Sequence, residues 1–187
     1  WSPFIPTNDR DSSLPAAMFE IEVTNTGSAA IDYTIGGTLG NHGCQNGVHT
    51  FHDGAVKALH LTAREELPDW QRGDLTIATD ADDVDHMDYH FRGQWFDDLN
   101  LFWREFAQAG RLPQRHYETP RLNKNMFDQP EHGTVAARIR VAPGETRRVR
   151  FAMAWHFPVG QVYWRPNAVN GETGTWRNYY ASQWTDS

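Results

Sequence analysis

Residues 1–25 read WSPFIPTNDRDSSLPAAMFEIEVTN. An aromatic and proline-rich start is followed by the polar run Asn8-Asp9-Arg10-Asp11-Ser12-Ser13. Past Leu14-Pro15 the pattern alternates, with Ala17, Phe19, Ile21 and Val23 on one face and Met18, Glu20, Glu22 and Thr24 on the other. A period of two predicts a half-buried strand. A polar loop feeding a core strand is where a rigid scaffold often presents functional side chains, so the run is a candidate site.

The same alternation recurs along the chain. Asn25-Thr26-Gly27-Ser28 supplies a turn, and Ile31, Tyr33 and Ile35 alternate after it, so the first two strands read as an antiparallel hairpin. Glycines and asparagines over 36–47 break regular structure, and short strands resume over 48–51, 56–62 and 75–79. Met87, Tyr89 and Phe91 alternate in one more strand. From Trp95 the spacing becomes helical, through Leu99, Phe102, Trp103 and Phe106, with Asp97 and Asp98 in the first turn and Gly110 as the stop.

Residues 112–132, with Pro113, Pro120 and Pro130, read as a long irregular connection. A second hairpin then pairs Val135, Ala137, Ile139 and Val141 with Val149, Phe151, Met153 and Trp155 across the turn Ala142-Pro143-Gly144-Glu145. At the end, Trp176, Tyr179, Tyr180 and Trp184 resemble the first turns of a helix. These elements predict a mainly β fold: an antiparallel β-sandwich with an inserted α-helix and a C-terminal helix start, one domain over 1–187.

Composition narrows the function. The formal charge of −7, without a concentrated basic stripe, argues against nucleic acid as a partner. Arg138, Arg140, Arg147, Arg148 and Arg150 alternate along two strands as a solvated sheet face. The single cysteine, Cys44, fits a reducing compartment and favours a cytoplasmic location. No apolar run is long enough to cross a bilayer as a helix.

His42, Cys44, His49 and His52 have the residue types of a zinc site, but their spacing matches no closed zinc motif. Asp80, Asp82, Asp83 and Asp85 suggest calcium, yet an EF-hand loop from Asp80 would need Gly where Asp85 stands and Glu where Phe91 stands. An exposed acidic loop is the simpler expectation. Among 24 acidic residues no pattern selects the two carboxylates of a glycosidase. A Gly-x-Ser-x-Gly elbow and a phosphate-binding glycine loop are also missing. No catalytic, cofactor-binding or metal-binding residue is assigned, and no cofactor is implied. Tyr163-Trp164-Arg165-Pro166 and Trp176-Arg177-Asn178-Tyr179-Tyr180 set rings beside polar partners, which suits a domain interface or a carbohydrate-binding module.

Three segments carry a family resemblance. SPFIPTNDRDSSLPAAMFEIEVTNTG, APGETRRVRFAMAWHFP and YWRPNAVNGETGTWRNYYASQW, in this order, resemble the N-terminal domain of glycoside hydrolase family 116, with SPFIP-x-N-x-x-DSS-x-P the most specific piece. That family includes the non-lysosomal glucosylceramidases, or bile-acid β-glucosidases, and bacterial β-glucosidases. The resemblance implies a non-catalytic β-sandwich, part of a larger N-terminal domain, that packs against and supports a catalytic (α/α)6 barrel. The barrel carries the nucleophile and acid/base of a retaining mechanism, and no stretch of this chain looks like it. The implied partners are that barrel and, for the parent protein, a glucoside or glycolipid substrate; a stand-alone carbohydrate-binding module or interaction domain is the alternative. On this reading the chain alone is inactive, and Asn8, Asp9, Asp11, Ser12 and Ser13 form a hydrogen-bonded corner facing the barrel.

Overall fold

The computed structural model describes residues 4–108, 111–122, 130–162 and 174–187. The chain is mainly antiparallel β, arranged as a β-sandwich. Its elements are α1 (Asp9–Ser12), β1 (Ala16–Thr24), β2 (Ile31–Gly40), β3 (His49–Asp53), β4 (Lys57–Thr62), β5 (Asp74–Thr79), β6 (Val84–Met87), α2 (Asp97–Ala107), β7 (His132–Val141), β8 (Thr146–His156), β9 (Val159–Gln161) and β10 (Thr175–Arg177). A five-stranded sheet in the order β1-β8-β5-β4-β3 faces a three-stranded sheet in the order β2-β7-β6. β9 and β10 form a separate ribbon.

Neither expected hairpin forms. β1 pairs with β8, from Ala16 opposite Ala154 to Thr24 opposite Thr146, and β2 pairs with β7, from Ile31 opposite Val141 to Gly40 opposite His132. Both turns therefore cross between the sheets. Alternation reports which face of a strand is apolar and is silent about the neighbouring strand. The crossing is held by Asn25, which is fully buried. Its Nδ2 donates to the carbonyls of Ala29 (2.8 Å) and Val141 (2.9 Å), and its Oδ1 accepts from the Gly27 amide (2.9 Å). Its backbone exchanges bonds with Glu145 and Gly144, tying one turn to the other.

Leu59, Leu61, Ile77, Val149 and Phe151 of the larger sheet meet Val135 and Ala137 of the smaller one in the main core. The glycines of 36–40 do not end the second strand, because β2 runs through them. A Cβ on Gly37 would lie 2.5 Å from Ile77 Cδ1, so glycine here permits close approach of the sheets. Regular structure breaks only after Gly40, in a turn that ends near Gly47, where a Cβ would fall 1.7 Å from the Thr62 carbonyl oxygen.

β1 forms as expected, but its burial does not alternate: Met18, on the opposite face, is 46% exposed, and the apolar face is only partly covered. Phe19 and Ile21 remain 50% and 37% exposed. The smaller sheet ends at β2, whose Gly37 sits over Ile77 and Phe151 on β5 and β8, and β1 projects one strand further. The result is an open apolar groove of about 530 Å3 between the β1 and β2 edges.

Helix α2 matches its expected span closely; Gly110 lies outside the described residues. It packs on the outer face of the smaller sheet, with Phe102 against Met87, Leu112 and Ala136, and with Phe106 beside Gly36. Trp95, Leu99 and Trp103, expected on the same apolar face, point to solvent instead. The strand expected at Met87, Tyr89 and Phe91 is displaced: it runs from Val84, inside the acidic run, only to Met87, and Tyr89 and Phe91 lie beyond it in irregular chain. Asp85 is buried there and accepts from the Leu112 amide at 2.5 Å, whereas Asp80, Asp82 and Asp83 are exposed as expected. The closing segment is not α-helical: Trp176 belongs to β10, and Tyr179–Ser182 form a 3-10 turn.

Candidate functional site

The opening polar run folds into a corner around α1. Asn8 caps the turn by accepting from the Asp11 amide (3.1 Å), while its Nδ2 donates to Asp11 Oδ2 (2.7 Å). The Ser12 hydroxyl accepts from the Ile5 amide and donates to the Ile5 carbonyl. The Ser13 amide donates to the Asp9 carbonyl. The five polar residues read from the sequence thus come together, Asn8, Asp11 and Ser12 through side chains and Asp9 and Ser13 through backbone.

The closing segment lies against this corner. Tyr180 OH donates to the Phe157 carbonyl (2.8 Å) and accepts from its amide (3.1 Å), and Arg177 Nη2 donates to the Ala181 carbonyl (2.7 Å). Between the two segments lies a cleft of about 800 Å3. Ile5, Arg10, Asp11 and Leu14 form one wall, and Tyr179, Ser182, Gln183 and Trp184 the other. The first and last family-like segments of the sequence therefore build one concavity. Tyr163, Trp164, Arg165 and Pro166 lie outside the described residues. Trp176 closes over Gly160, where a Cβ would lie 2.4 Å from its ring, and its Nε1 donates to Asn178 Oδ1.

A second polar concentration, unmarked by any sequence motif, sits where β3, β6 and β7 meet the start of α2. His49 stacks on Tyr89 at 4.4 Å, with Nδ1 at 2.5 Å from the Asp88 carbonyl, and burial lowers its pKa to about 4. His90 lies 2.8 Å from the Thr134 hydroxyl, and burial, aided by His132, lowers it to about 3. His132 Nδ1 is 3.0 Å from Asp98 Oδ2. Arg92 pairs with the buried Glu131 at 2.5 Å and lies 3.8 Å over the Tyr117 ring. Burial raises the Glu131 carboxyl, and Arg92 offsets part of the rise. In this cluster Asp98 is matched to an imidazole and Glu131 to a guanidinium, an arrangement that locks α2 and the 111–122 segment onto the sheet. The available clue was weak: Glu131-His132 opens a strand, and Asp98 sits on the apolar side of a helix.

The four residues with zinc-site chemistry do not converge. Cys44 is fully buried, and desolvation, with the nearby Asp74 charge, pushes its thiol up to about 12. His49 points inward, His42 is exposed, and His52 lies on the outer face, 6.2 Å from the His60 ring. Among the described residues no three potential ligands gather around a point. The arginines do not share one sheet face, because Arg138 and Arg140 lie on β7 of the smaller sheet and Arg147, Arg148 and Arg150 on β8 of the larger; Arg140 is paired to Asp32, Arg148 to Glu22, and Arg150 to Glu20 and Asp80. Among the described residues no helix is long and apolar enough to cross a membrane.

A five-over-three antiparallel sandwich carrying one packed helix and a cleft between its first and last segments defines a β-sandwich module. The family model described as "beta-glucosidase 2, glycosyl-hydrolase family 116 N-term" matches residues 1–187, and the chain belongs to that family of N-terminal domains. A search of curated proteins found no match.

Proposed function

We propose that this domain packs against and supports the catalytic barrel of a retaining β-glucosidase or glucosylceramidase-like enzyme and performs no hydrolysis itself. The observation that carries the reading is the family match over the whole chain. The outer stripe of α2 supports it: Trp95, Phe96, Leu99 and Trp103 are 68%, 64%, 46% and 58% exposed. Scaled by the area of such side chains, they offer roughly 500 Å2 of apolar surface, comparable to the largest patch of a typical monomer. That is more than half of the roughly 800 Å2 one partner buries in a stable interface. Trp95 and Phe96 both adopt positive φ, 55° and 68°, which holds their rings at the start of the stripe.

Assay on an aryl β-glucoside tests the reading. The chain alone gives no turnover, and hydrolysis abolished by substituting one of its own carboxylates overturns the assignment. In the parent enzyme, Trp103→Asp lowers the temperature at which the catalytic domain loses activity; an unchanged temperature removes α2 from the interface.

A further inference from the structure

The cleft between the opening corner and the closing segment has the chemistry of a ligand site separate from the α2 stripe. Its volume, about 800 Å3, falls within the range of small-molecule pockets. Its walls are set in advance, because Asn8 fixes Asp11 on one side and the Ser182 hydroxyl bonds the Tyr179 carbonyl on the other. Among the described residues no hydrogen bond uses the Arg10 guanidinium, Asp11 Oδ1 or the side-chain amide of Gln183, whose backbone N–H donates to the Tyr180 carbonyl. A fixed acceptor, two donors and the ring of Tyr179, 53% exposed, thus line one opening.

This set discriminates among ligand classes. An inorganic anion attracted by Arg10 meets the Asp11 carboxylate, and a cation attracted by Asp11 meets Arg10. A wholly apolar ligand strips water from three polar groups and returns no hydrogen bond. A ligand with donors and acceptors around its rim and a C–H face for an aromatic ring satisfies all of them. We propose that this cleft binds a neutral pyranoside, its ring face on Tyr179 and its hydroxyls shared among Arg10, Asp11 and Gln183.

The test is an NMR titration of the 187-residue chain with methyl β-D-glucopyranoside, followed at the Trp184 indole N–H. Saturable shifts with a Kd in the millimolar range or tighter are expected, weakened about tenfold in Tyr179→Ala, which corresponds to the loss of one good contact. Arg10→Ala, at an exposed position, provides a second variant with the parent's melting temperature and weaker binding. Trp103→Ala on α2 binds like the parent. The proposal is overturned by shifts that stay linear to about 100 mM, far above a millimolar Kd. It is equally overturned by unchanged affinity in both cleft variants, or by competitive displacement with sodium sulfate, which marks an anion site. Cleft amides of the intact enzyme that are protected from hydrogen exchange and unmoved by the sugar also overturn it, since a protein surface then fills the cleft.

Discussion

The side-chain amide of Asn25 donates to the carbonyl of Val141 over 2.9 Å, joining the turn that leaves β1 to the end of β7, where the chain turns toward β8. Because the same side chain also serves Ala29 and Gly27, one buried residue satisfies three backbone groups, of which the Val141 carbonyl is itself buried. Asn25→Ala leaves these groups unpaired. Each unsatisfied group costs about 1–3 kcal/mol, partly recovered by water, so a net loss of roughly 3 kcal/mol is expected. Urea unfolding should show a lower midpoint with an unchanged m-value; a midpoint within error of the parent contradicts the role.

Gly47 faces backbone, which cannot rotate away as a side chain can. Gly47→Ala places its Cβ 1.7 Å from the Thr62 carbonyl oxygen and should cost more than the ~1–3 kcal/mol of ordinary overpacking. Gly54→Ala meets only the Val56 carbonyl oxygen at 3.5 Å, and should stay within about 0.5 kcal/mol of the parent. Comparing their melting temperatures checks both values at once.

Neighbouring aromatic residues on α2 should behave in opposite ways. Phe102 is buried against Met87 and Ala136, and Phe102→Ala should destabilise the chain by about 3–5 kcal/mol. Trp103 is 58% exposed, with its ring beside those of Phe102 (5.9 Å) and Phe106 (6.1 Å), and Trp103→Ala should cost the isolated chain only about 1 kcal/mol. A loss as large as that of Phe102→Ala means that Trp103 is part of the core and not of a docking stripe.

Acid should weaken the fold through His49 and His90, whose pKa values are lowered to about 4 and about 3. Below the unfolded value near 6.5 the unfolded chain takes up protons that the folded chain refuses. Stability therefore falls as pH drops from about 6.5 toward 4, at up to roughly 1.4 kcal/mol per pH unit for each histidine. Asp74 adds to the loss at lower pH: burial raises its pKa, but bonds from His60 and Ser187 outweigh that and leave it lowered. The raised Glu131 works in the opposite direction. Unfolding midpoints at pH 7, 6 and 5 should decline less steeply in His90→Gln; an equal slope argues against burial of a neutral ring.

Cys44, the only cysteine, offers a clean chemical reading. Fully buried, with its thiol pushed up to about 12, it should resist a thiol reagent at pH 8 until the chain unfolds. Rapid labelling of the native protein would show that this turn opens readily.

Much of the architecture was legible because alternation marks strands and a change of period marks a helix. The positions of β1, β4, β5, β7, β8 and α2 follow from Ala17 to Val23, Leu59, Ile77, Val135 to Val141 and Phe102. Pairing was not legible: Asn25 and Gly144 suit a hairpin turn and a crossing between sheets equally well, and only burial of the Asn25 amide separates the two. Nor could the glycines of β2 be read as strand, since their reason is Ile77, forty residues away in the chain. The opening corner was visible as a dense polar run. The Asp98–His132 and Arg92–Glu131 pairs were not, because their members are 34 and 39 residues apart and carry no local pattern.

The overhang of β1 bears on how the chain keeps company with copies of itself. A free strand edge with apolar residues on one face is a template for further strands. If two β1 edges met antiparallel about Ile21, Glu20 of each would face Glu22 of the other, and like charges directly opposite are unfavourable. The glutamates that bind Arg148 and Arg150 within one molecule thus also repel a second one. That protection is electrostatic and acts between exposed side chains, so salt, which screens such charges, disarms the open edge. Fibre growth at high ionic strength would begin at β1.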